Sequence, residues 1–172
     1  MELIELRDLL AGLARKRPLF HSEADFQHAF AWEVHLRYPD AKVRLEQQTH
    51  AGVQLDSRFE IAGHRTGVEL SYMVRRLTAV LDGERFDLHS EAGKDLRRHD
   101  VVRDLRRLEQ LVAARDLDTG FAVVLTNDAR YWAATRRPAT LSEWTDYSEV
   151  GDGPATRFRY LAVQVKPGKA FP

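Results

Sequence analysis

The fold is most readily inferred from residues 53–72, which read V-Q-L-D-S-R-F-E-I-A-G-H-R-T-G-V-E-L-S-Y. Residues 54–62 and 66–73 form two runs with apolar residues at alternate positions, separated by a short segment around Gly63 and His64. A period of two is typical of half-buried strands, and a short glycine-containing connection is typical of a hairpin. We therefore predict that the two runs form an antiparallel hairpin.

Helical periodicity precedes this hairpin. Residues 3–16 place leucines on one face, and Pro18 ends the helix that they predict. A second helix is expected to start at Ser22 and to run to about residue 38. Ser22 with Asp25 three residues later resembles a capping box, and Pro39 disfavours continuation.

The remaining elements follow from the same periodicities. Residues 130–154 are rich in turn residues and receive no assignment. The other segments are a strand at 43–47, a small hairpin or loop excursion at 80–88, a long helix at 94–115, a buried strand at 121–125 and a last strand at 158–165. This order predicts an α/β sandwich, in which a mixed central β-sheet is flanked by helices.

Composition bounds the class of protein. The chain has 172 residues, of which 44% are apolar and 30% charged, as expected for one soluble globular domain spanning 1–172. No apolar run approaches the roughly 20 residues that cross a bilayer, and the charged N-terminal segment is unlike a secretory signal. We expect a cytoplasmic protein without a membrane partner. The absence of cysteine excludes disulfides, thiolate zinc sites and iron–sulfur clusters.

The charge balance and the motifs exclude further classes. Lys plus Arg equals Asp plus Glu, 26 against 26, so the chain is not a generally basic nucleic-acid binder. Arginine supplies 21 of the 26 basic residues, which indicates either phosphate recognition or GC-rich coding. The seven histidines lack a zinc-binding pattern, and neither a glycine-rich phosphate loop nor a G-x-S-x-G elbow is present.

Two carboxylates on the predicted hairpin point to chemistry. Asp56 lies on its first arm, and Glu69 lies inside the apolar run 68–72 on its second arm. A carboxylate within an apolar strand is costly unless it is paired or binds a metal. Two carboxylates on adjacent strands repel each other unless a cation lies between them, and Mg²⁺ or Mn²⁺ prefers such oxygen ligands. The alternative is a structural pair neutralised by Arg58 or Arg65.

This layout resembles the PD-(D/E)XK nuclease superfamily, the group with restriction-endonuclease-like and Holliday-junction-resolvase folds. In that family a helix carries a Glu, an Asp follows, and (D/E)-x-K lies on the next strand before another helix. Asp56 and Glu69 match the two acids, and Glu23 matches the helix Glu. The resemblance covers residues 18–126. It implies a restriction-endonuclease-like fold and a metal-dependent DNA nuclease, with Mg²⁺ or Mn²⁺ held by Asp56, Glu69 and the Leu70 carbonyl, and with Glu23 in support.

The third motif position departs from the family pattern. Ser71 stands where the family has its lysine, and serine supplies no positive charge. Ser71 itself or a nearby cation is expected in the lysine's place, and Arg75, Arg76 and Lys94 are the nearest in sequence. Because of this departure, a catalytically inactive subunit that binds nucleic acid or protein is an alternative. Its protein partner could be a second copy of the chain, in a homodimer. An unrelated α/β domain with structural carboxylates is a third alternative.

Three further features carry two interpretations each. Glu33 is the alternative to Glu23 as the helix acid, because it shares a helical face with two phenylalanines. The T-N-D segment at 126–128 lines a site at a strand end or forms an ordinary turn. The long helix either tracks a DNA backbone or presents a salt-bridged solvent face. Its arginines are Arg97, Arg98, Arg103, Arg106 and Arg107.

Overall fold

A computed structural model describes residues 1–48, 54–89, 94–132 and 143–168. Within these ranges, the side chains of residues 3, 4 and 94–99 are not described. The elements are α1 (Leu3–Lys16), α2 (Glu23–Arg37), β1 (Lys42–Gln48), β2 (Gln54–Ile61), β3 (His64–Met73), β4 (Leu77–Leu81), β5 (Glu84–Leu88), α3 (Lys94–Ala113), β6 (Thr119–Thr126), α4 (Ala129–Trp132), β7 (Thr145–Glu149) and β8 (Arg157–Val165).

The main sheet has six strands in the order β1-β2-β3-β6-β8-β7. Strands β3 and β6 pair in parallel, and the other neighbours pair antiparallel, so the sheet is mixed, as the sequence predicts. Parallel neighbours need a crossover connection, and α3 lies in the connection between β3 and β6. The order of elements thereby places α3 against the strand that carries Glu69.

Helices cover both faces of the sheet. On one face the leucines of α1 and the phenylalanines of α2 form a cluster with Val68, Leu70 and Tyr72 of β3. On the other face Leu105 and Leu108 of α3 pack with side chains of β6 and β8. Two apolar clusters separated by a sheet correspond to the predicted α/β arrangement.

The β2–β3 hairpin forms as predicted, with a small difference in its turn. Ile61 faces His64 across a two-residue loop, and its residues Ala62 and Gly63 have φ of 50° and 81°. Two positive φ values are the signature of the hairpin turn whose twist matches that of the strands. His64 therefore belongs to β3 rather than to the turn. The segment 80–88 lies in a second hairpin, β4–β5, which forms a separate two-stranded sheet.

The predicted helices are also present. Ser22 caps α2 by accepting a hydrogen bond from the Asp25 N–H, but the Asp25 carboxylate accepts from the His21 N–H, so the reciprocal half of a capping box is not formed. The long helix ends at Ala113, two residues before the predicted end. No helix in the described part of the chain is long and apolar enough to cross a membrane.

Candidate active site

Strands β2 and β3 separate where the predicted acids lie. Their register runs from Ile61↔His64 to Ser57↔Val68. Beyond that pair, the Leu70 N–H donates to Oδ2 of Asp56 at 2.7 Å. Two residues on, the Tyr72 N–H donates to Oε2 of Glu23 at 2.8 Å. Two carboxylates thus replace strand carbonyls along this edge of β3, and the prediction that Asp56 and Glu23 belong to one site is consistent with this geometry.

The neighbouring part of β1 is also irregular. Glu46 faces Asp56 between the pairs Leu45↔Ser57 and Gln47↔Leu55, and it has φ of 50°. A positive φ at a residue other than glycine is uncommon and is often found at functional sites.

Gln27 of α2 holds this irregular segment in place. Its Nε2 donates to the Asp56 carbonyl at 2.5 Å and to Oε1 of Glu46 at 3.0 Å. Gln27 is buried, so the amide that links α2 to the two strands is shielded from water. The first turns of α2 therefore supply two polar side chains, Glu23 and Gln27, to the same region of the sheet.

Glu69 lies at the centre of the cluster. Its side chain is 2% exposed, and its Oε1 accepts a hydrogen bond from Nη2 of Arg107 at 3.1 Å. The same Nη2 atom donates to Oδ1 of Asp104 at 2.7 Å. A buried carboxylate is therefore flanked by the Asp56 carboxyl group and by a guanidinium group from α3.

The surroundings of the cluster disfavour the ionised form of its carboxyl groups. Burial and the nearby charge of Asp56 raise the pKa of Glu69 to about 8. Burial also raises the pKa of Asp56, whose carboxyl group is within hydrogen-bonding reach of Glu69. The pKa of Asp104 is raised by burial as well, although Arg107 opposes the shift. A cation entering the cluster would be stabilised by these groups.

Two glycines let α3 approach the sheet closely enough for this contact. A Cβ added at Gly120 of β6 would lie 3.1 Å from Cβ and Cδ2 of Leu108. A Cβ added at Gly67 of β3 would lie 3.4 Å from Cδ2 of the same leucine, and it would also clash with Leu117, which follows the helix. Leu108 directly follows Arg107 on α3, so the small residues beneath the helix fix the height of the guanidinium group above the sheet.

The other predicted residues fall into two groups. Ser71 is half-buried and shares the α3 face of β3 with Glu69, because alternate strand residues share a face. The Leu70 carbonyl lies on the same edge as the Leu70 N–H, as antiparallel geometry requires. By contrast, Glu33 pairs with Lys16 through Nζ–Oε2 at 2.7 Å, between α1 and α2. The structure therefore favours Glu23 over Glu33.

The basic residues that the sequence proposes near Asp56 and Glu69 lie elsewhere in the structure. Arg75 and Arg76 are exposed residues beyond the end of β3, and the Lys94 side chain is outside the described part of the structure. Arg65 pairs with Asp118, and Arg58 donates to Gln47. The cation that contacts Glu69 is Arg107 instead.

Sequence reasoning missed Arg107, Asp104 and Gln27 as members of the site. The signal for the first two is their position beside the apolar stripe of α3, since Asp104 precedes Leu105 and Arg107 precedes Leu108. Side chains at the border of a buried stripe reach the sheet more readily than those opposite it. Elsewhere on the described part of α3, Arg103 pairs with Asp100 at 2.9 Å, as a salt-bridged face predicts. The side chains of Arg97 and Arg98 lie outside the described residues.

A small cavity of about 320 Å³ opens beside β2. Leu55 and Arg58, which lie on either side of Asp56 in the sequence, both line it. The other lining residues are Gln47, Gln48, Arg65, Asp116 and Leu117. The cavity therefore provides polar space next to the strand that carries Asp56.

Among the described residues, no group of three or more His, Asp or Glu side chains is arranged to hold a metal ion. A metal at this site would consequently rely on two carboxylates, with water, backbone or substrate oxygens completing its coordination. Comparison of the chain with protein-family models, with curated proteins and with solved structures finds no match.

Proposed function

We propose that this chain is a metal-dependent phosphodiesterase acting on DNA, with a restriction-endonuclease-like fold. The observation that carries the proposal is the buried Glu69 between the Asp56 carboxyl group and the Arg107 guanidinium group. The order of elements supports it, because the Glu23 helix, the Asp56 strand, the Glu69 strand and α3 follow each other as in the PD-(D/E)XK layout.

The donor chemistry of the cluster fits Mg²⁺ or Mn²⁺. Asp56, Glu69 and the Leu70 carbonyl offer oxygen ligands only, which hard cations prefer. Burial raises the pKa values of Asp56 and Glu69, and for Glu69 the charge of Asp56 adds to the shift, so a divalent cation would stabilise the ionised forms. When bound, such an ion polarises the phosphate and lowers the pKa of a coordinated water.

The chain's own residues have distinct roles in this proposal. Asp56 and Glu69 hold the ion, and Glu23 fixes the edge of β3 through the Tyr72 N–H. Arg107 takes the electrostatic role of the missing lysine, because a cation beside Glu69 stabilises the additional negative charge on the phosphate in the transition state. Arginine stays protonated, so Arg107 does not act as the general base.

One observation favours a second candidate function, a non-catalytic subunit that binds nucleic acid or protein. Arg107 already contacts Glu69 directly, through Nη2–Oε1 at 3.1 Å. An acid that is satisfied by a protein cation has less affinity for a metal. In this case the carboxylates would be a structural remnant of a nuclease site.

Calorimetric titration with Mn²⁺ and a plasmid-nicking assay test the proposal. The variants are Asp56→Asn and Glu69→Gln, with Glu60→Gln as the matched control, since Glu60 lies on β2 and pairs with Lys42. We expect Asp56→Asn and Glu69→Gln each to abolish Mn²⁺ binding and nicking, whereas Glu60→Gln should leave both unchanged.

The contrary outcomes separate the alternatives. Mn²⁺ binding without nicking in the wild type would identify a non-catalytic descendant. No Mn²⁺ binding, together with a loss of several kcal/mol of stability in both variants, would identify a structural pair, because breaking a buried polar pair is strongly destabilising.

A further inference from the structure

The connection between β3 and β4 is fixed by a buried asparagine. Asn127, which directly follows β6, is 2% exposed. Its Oδ1 accepts from the Arg75 N–H at 2.7 Å, and its Nδ2 donates to the Arg75 carbonyl at 3.3 Å. The same Nδ2 donates to the Ala155 carbonyl at 2.8 Å. One amide side chain therefore holds both backbone polar groups of Arg75.

The two arginines of this connection differ from neighbouring arginines in having no ion pair among the described residues. Arg75 and Arg76 are exposed, and within the described ranges neither guanidinium group pairs with a carboxylate. Arg85 on the adjacent hairpin pairs with Asp87 at 2.7 Å, and Arg130 pairs with Asp128 at 2.7 Å. Two consecutive arginines thus present unneutralised positive charge from a backbone held in one conformation.

The arginines follow β3, in the connection that leaves the candidate site. Leu70, whose N–H contacts Asp56, lies five residues before Arg75. At about 3.3 Å per residue this separation is at most roughly 17 Å. One DNA strand carries a phosphate every ~3.4 Å along the helix axis, so the arginines are within about five phosphates of the Asp56 carboxylate.

We propose that Arg75 and Arg76 bind phosphates of the DNA strand a few nucleotides away from the phosphodiester held at Asp56 and Glu69. This inference rests on the proposed function and identifies its substrate contacts. Arginine suits the task because its planar guanidinium group donates two parallel hydrogen bonds to a phosphate. Asn127 is a positioning residue, since a backbone ordered before binding lowers the entropic cost of the contact.

Fluorescence anisotropy with a short labelled DNA duplex tests the inference. The buffer contains EDTA, so that binding is measured without a divalent ion. We expect the Arg75→Ala/Arg76→Ala variant to lower the slope of log K against log salt by about 2, because each phosphate that an arginine no longer neutralises reduces the slope by about 0.9. The matched control is Arg15→Ala/Arg115→Ala, which removes one exposed arginine from α1 and one from the turn after α3 and should leave the slope unchanged.

A double-mutant cycle tests Asn127. Asn127→Ala should weaken DNA binding in the wild-type background and have little effect in the Arg75→Ala/Arg76→Ala background. Equal weakening in both backgrounds would show that Asn127 only supports the fold. Thermal unfolding measured alongside identifies any variant that is not folded under the conditions of the titration.

The outcomes keep this inference separate from the proposed function. A reduced salt slope with unchanged Mn²⁺ binding in Arg75→Ala/Arg76→Ala supports the phosphate contacts. The same slope as wild type overturns them, whatever the metal result. If wild type binds no Mn²⁺ while the arginine variant still loses DNA affinity, the phosphate contacts stand and the nuclease proposal fails.

Discussion

The Nη2 atom of Arg107 lies 3.1 Å from Oε1 of Glu69, although the two residues are 38 positions apart in the sequence. The contact joins the centre of α3 to the strand that carries the candidate acid. It provides a cation next to Glu69, whereas the PD-(D/E)XK pattern that the sequence resembles has a lysine at the position of Ser71. The same guanidinium group contacts Asp104, so its position is fixed from two sides.

If Arg107 takes the place of the missing lysine, its removal is expected to lower cleavage and a new lysine is expected to restore it. Arg107→Ala should reduce metal-dependent nicking by about 10²–10³-fold, the usual effect of losing one preorganised electrostatic group. Ser71→Lys in that background should recover part of the rate, because position 71 shares the α3 face with Glu69. Plasmid nicking by the two single variants and the double variant measures both the loss and the recovery of cleavage.

Two controls accompany the Arg107→Ala and Ser71→Lys variants. Arg106→Ala removes an exposed neighbour on the same helix and should leave nicking unchanged. Adding Asp56→Ala to Ser71→Lys should abolish any increase in nicking, since the cation needs the metal ligands beside it. Equal nicking by wild type and Arg107→Ala would contradict the role assigned to Arg107.

The raised pKa of Glu69 predicts a specific pH dependence of stability. Its pKa is about 8 in the folded chain against an ordinary 4.5, so folding favours the protonated form. The contribution of this pKa shift to the free energy of unfolding is fully present below about pH 4.5 and is lost as the pH rises through 8. At about 1.36 kcal/mol per pKa unit, the loss is on the order of 5 kcal/mol.

Urea unfolding of wild type and Glu69→Gln across this pH range measures that loss. Wild type should lose stability relative to Glu69→Gln as the pH rises, because glutamine does not ionise. Mn²⁺ should reverse the trend in wild type, since metal binding requires the deprotonated carboxylate. A free-energy difference between the two proteins that is constant with pH would contradict the burial of an ionisable Glu69.

Glu23 and Glu33 should respond differently to substitution. Glu23→Ala removes the acceptor of the Tyr72 N–H and should cost about 1–3 kcal/mol, the penalty for an unpaired buried donor. Glu23→Gln keeps an acceptor oxygen and should preserve stability, but should lower nicking if the charge supports the site. Glu33→Gln should leave nicking unchanged, since Glu33 pairs with Lys16. Thermal unfolding and nicking of the three variants decide the matter.

Gly120→Ala tests the close approach of α3. The added Cβ would lie 3.1 Å from Leu108, so the helix or the leucine must move. Overpacking of this kind typically costs about 1–3 kcal/mol. We also expect nicking to fall, because Arg107 adjoins Leu108. Gly63→Asn is the control, since Gly63 has φ of 81° in an open turn where asparagine is tolerated. Unchanged stability in Gly120→Ala would show that α3 adapts without cost.

Local patterns predict most of the elements. The leucine spacing of α1 gives its bounds of 3–16, and the alternation of residues 54–73 gives the central hairpin. Strand β7 receives no assignment from the sequence, because Thr145–Glu149 combines charged and turn-forming residues on an edge strand held mainly by pairing with β8. Propensity alone does not reveal a strand whose stability comes from its neighbour.

The acids of the site are predictable from the sequence, and their cation is not. Asp56 and Glu69 are detectable because the sequence brings them together through one hairpin. Arg107 reaches Glu69 only because β3 and β6 are parallel and α3 crosses between them, an arrangement that depends on long-range pairing. Nearness in sequence instead favours Arg75 and Arg76 as the cation beside Glu69, but both lie beyond the end of β3.

The separation of β2 from β3 has a consequence for self-association. Within the described ranges, the N–H groups of Leu70 and Tyr72 lie on a stretch of strand edge that pairs with no other strand, and such edges template aggregation with other chains. Asp56 and Glu23 occupy these donors and place carboxyl groups where an incoming strand would have to dock. Replacing both acids by apolar residues would therefore leave two unpaired donors on this edge, where a strand of a second chain could pair. The groups proposed to hold and support an ion would thus also protect the sheet against edge-to-edge association.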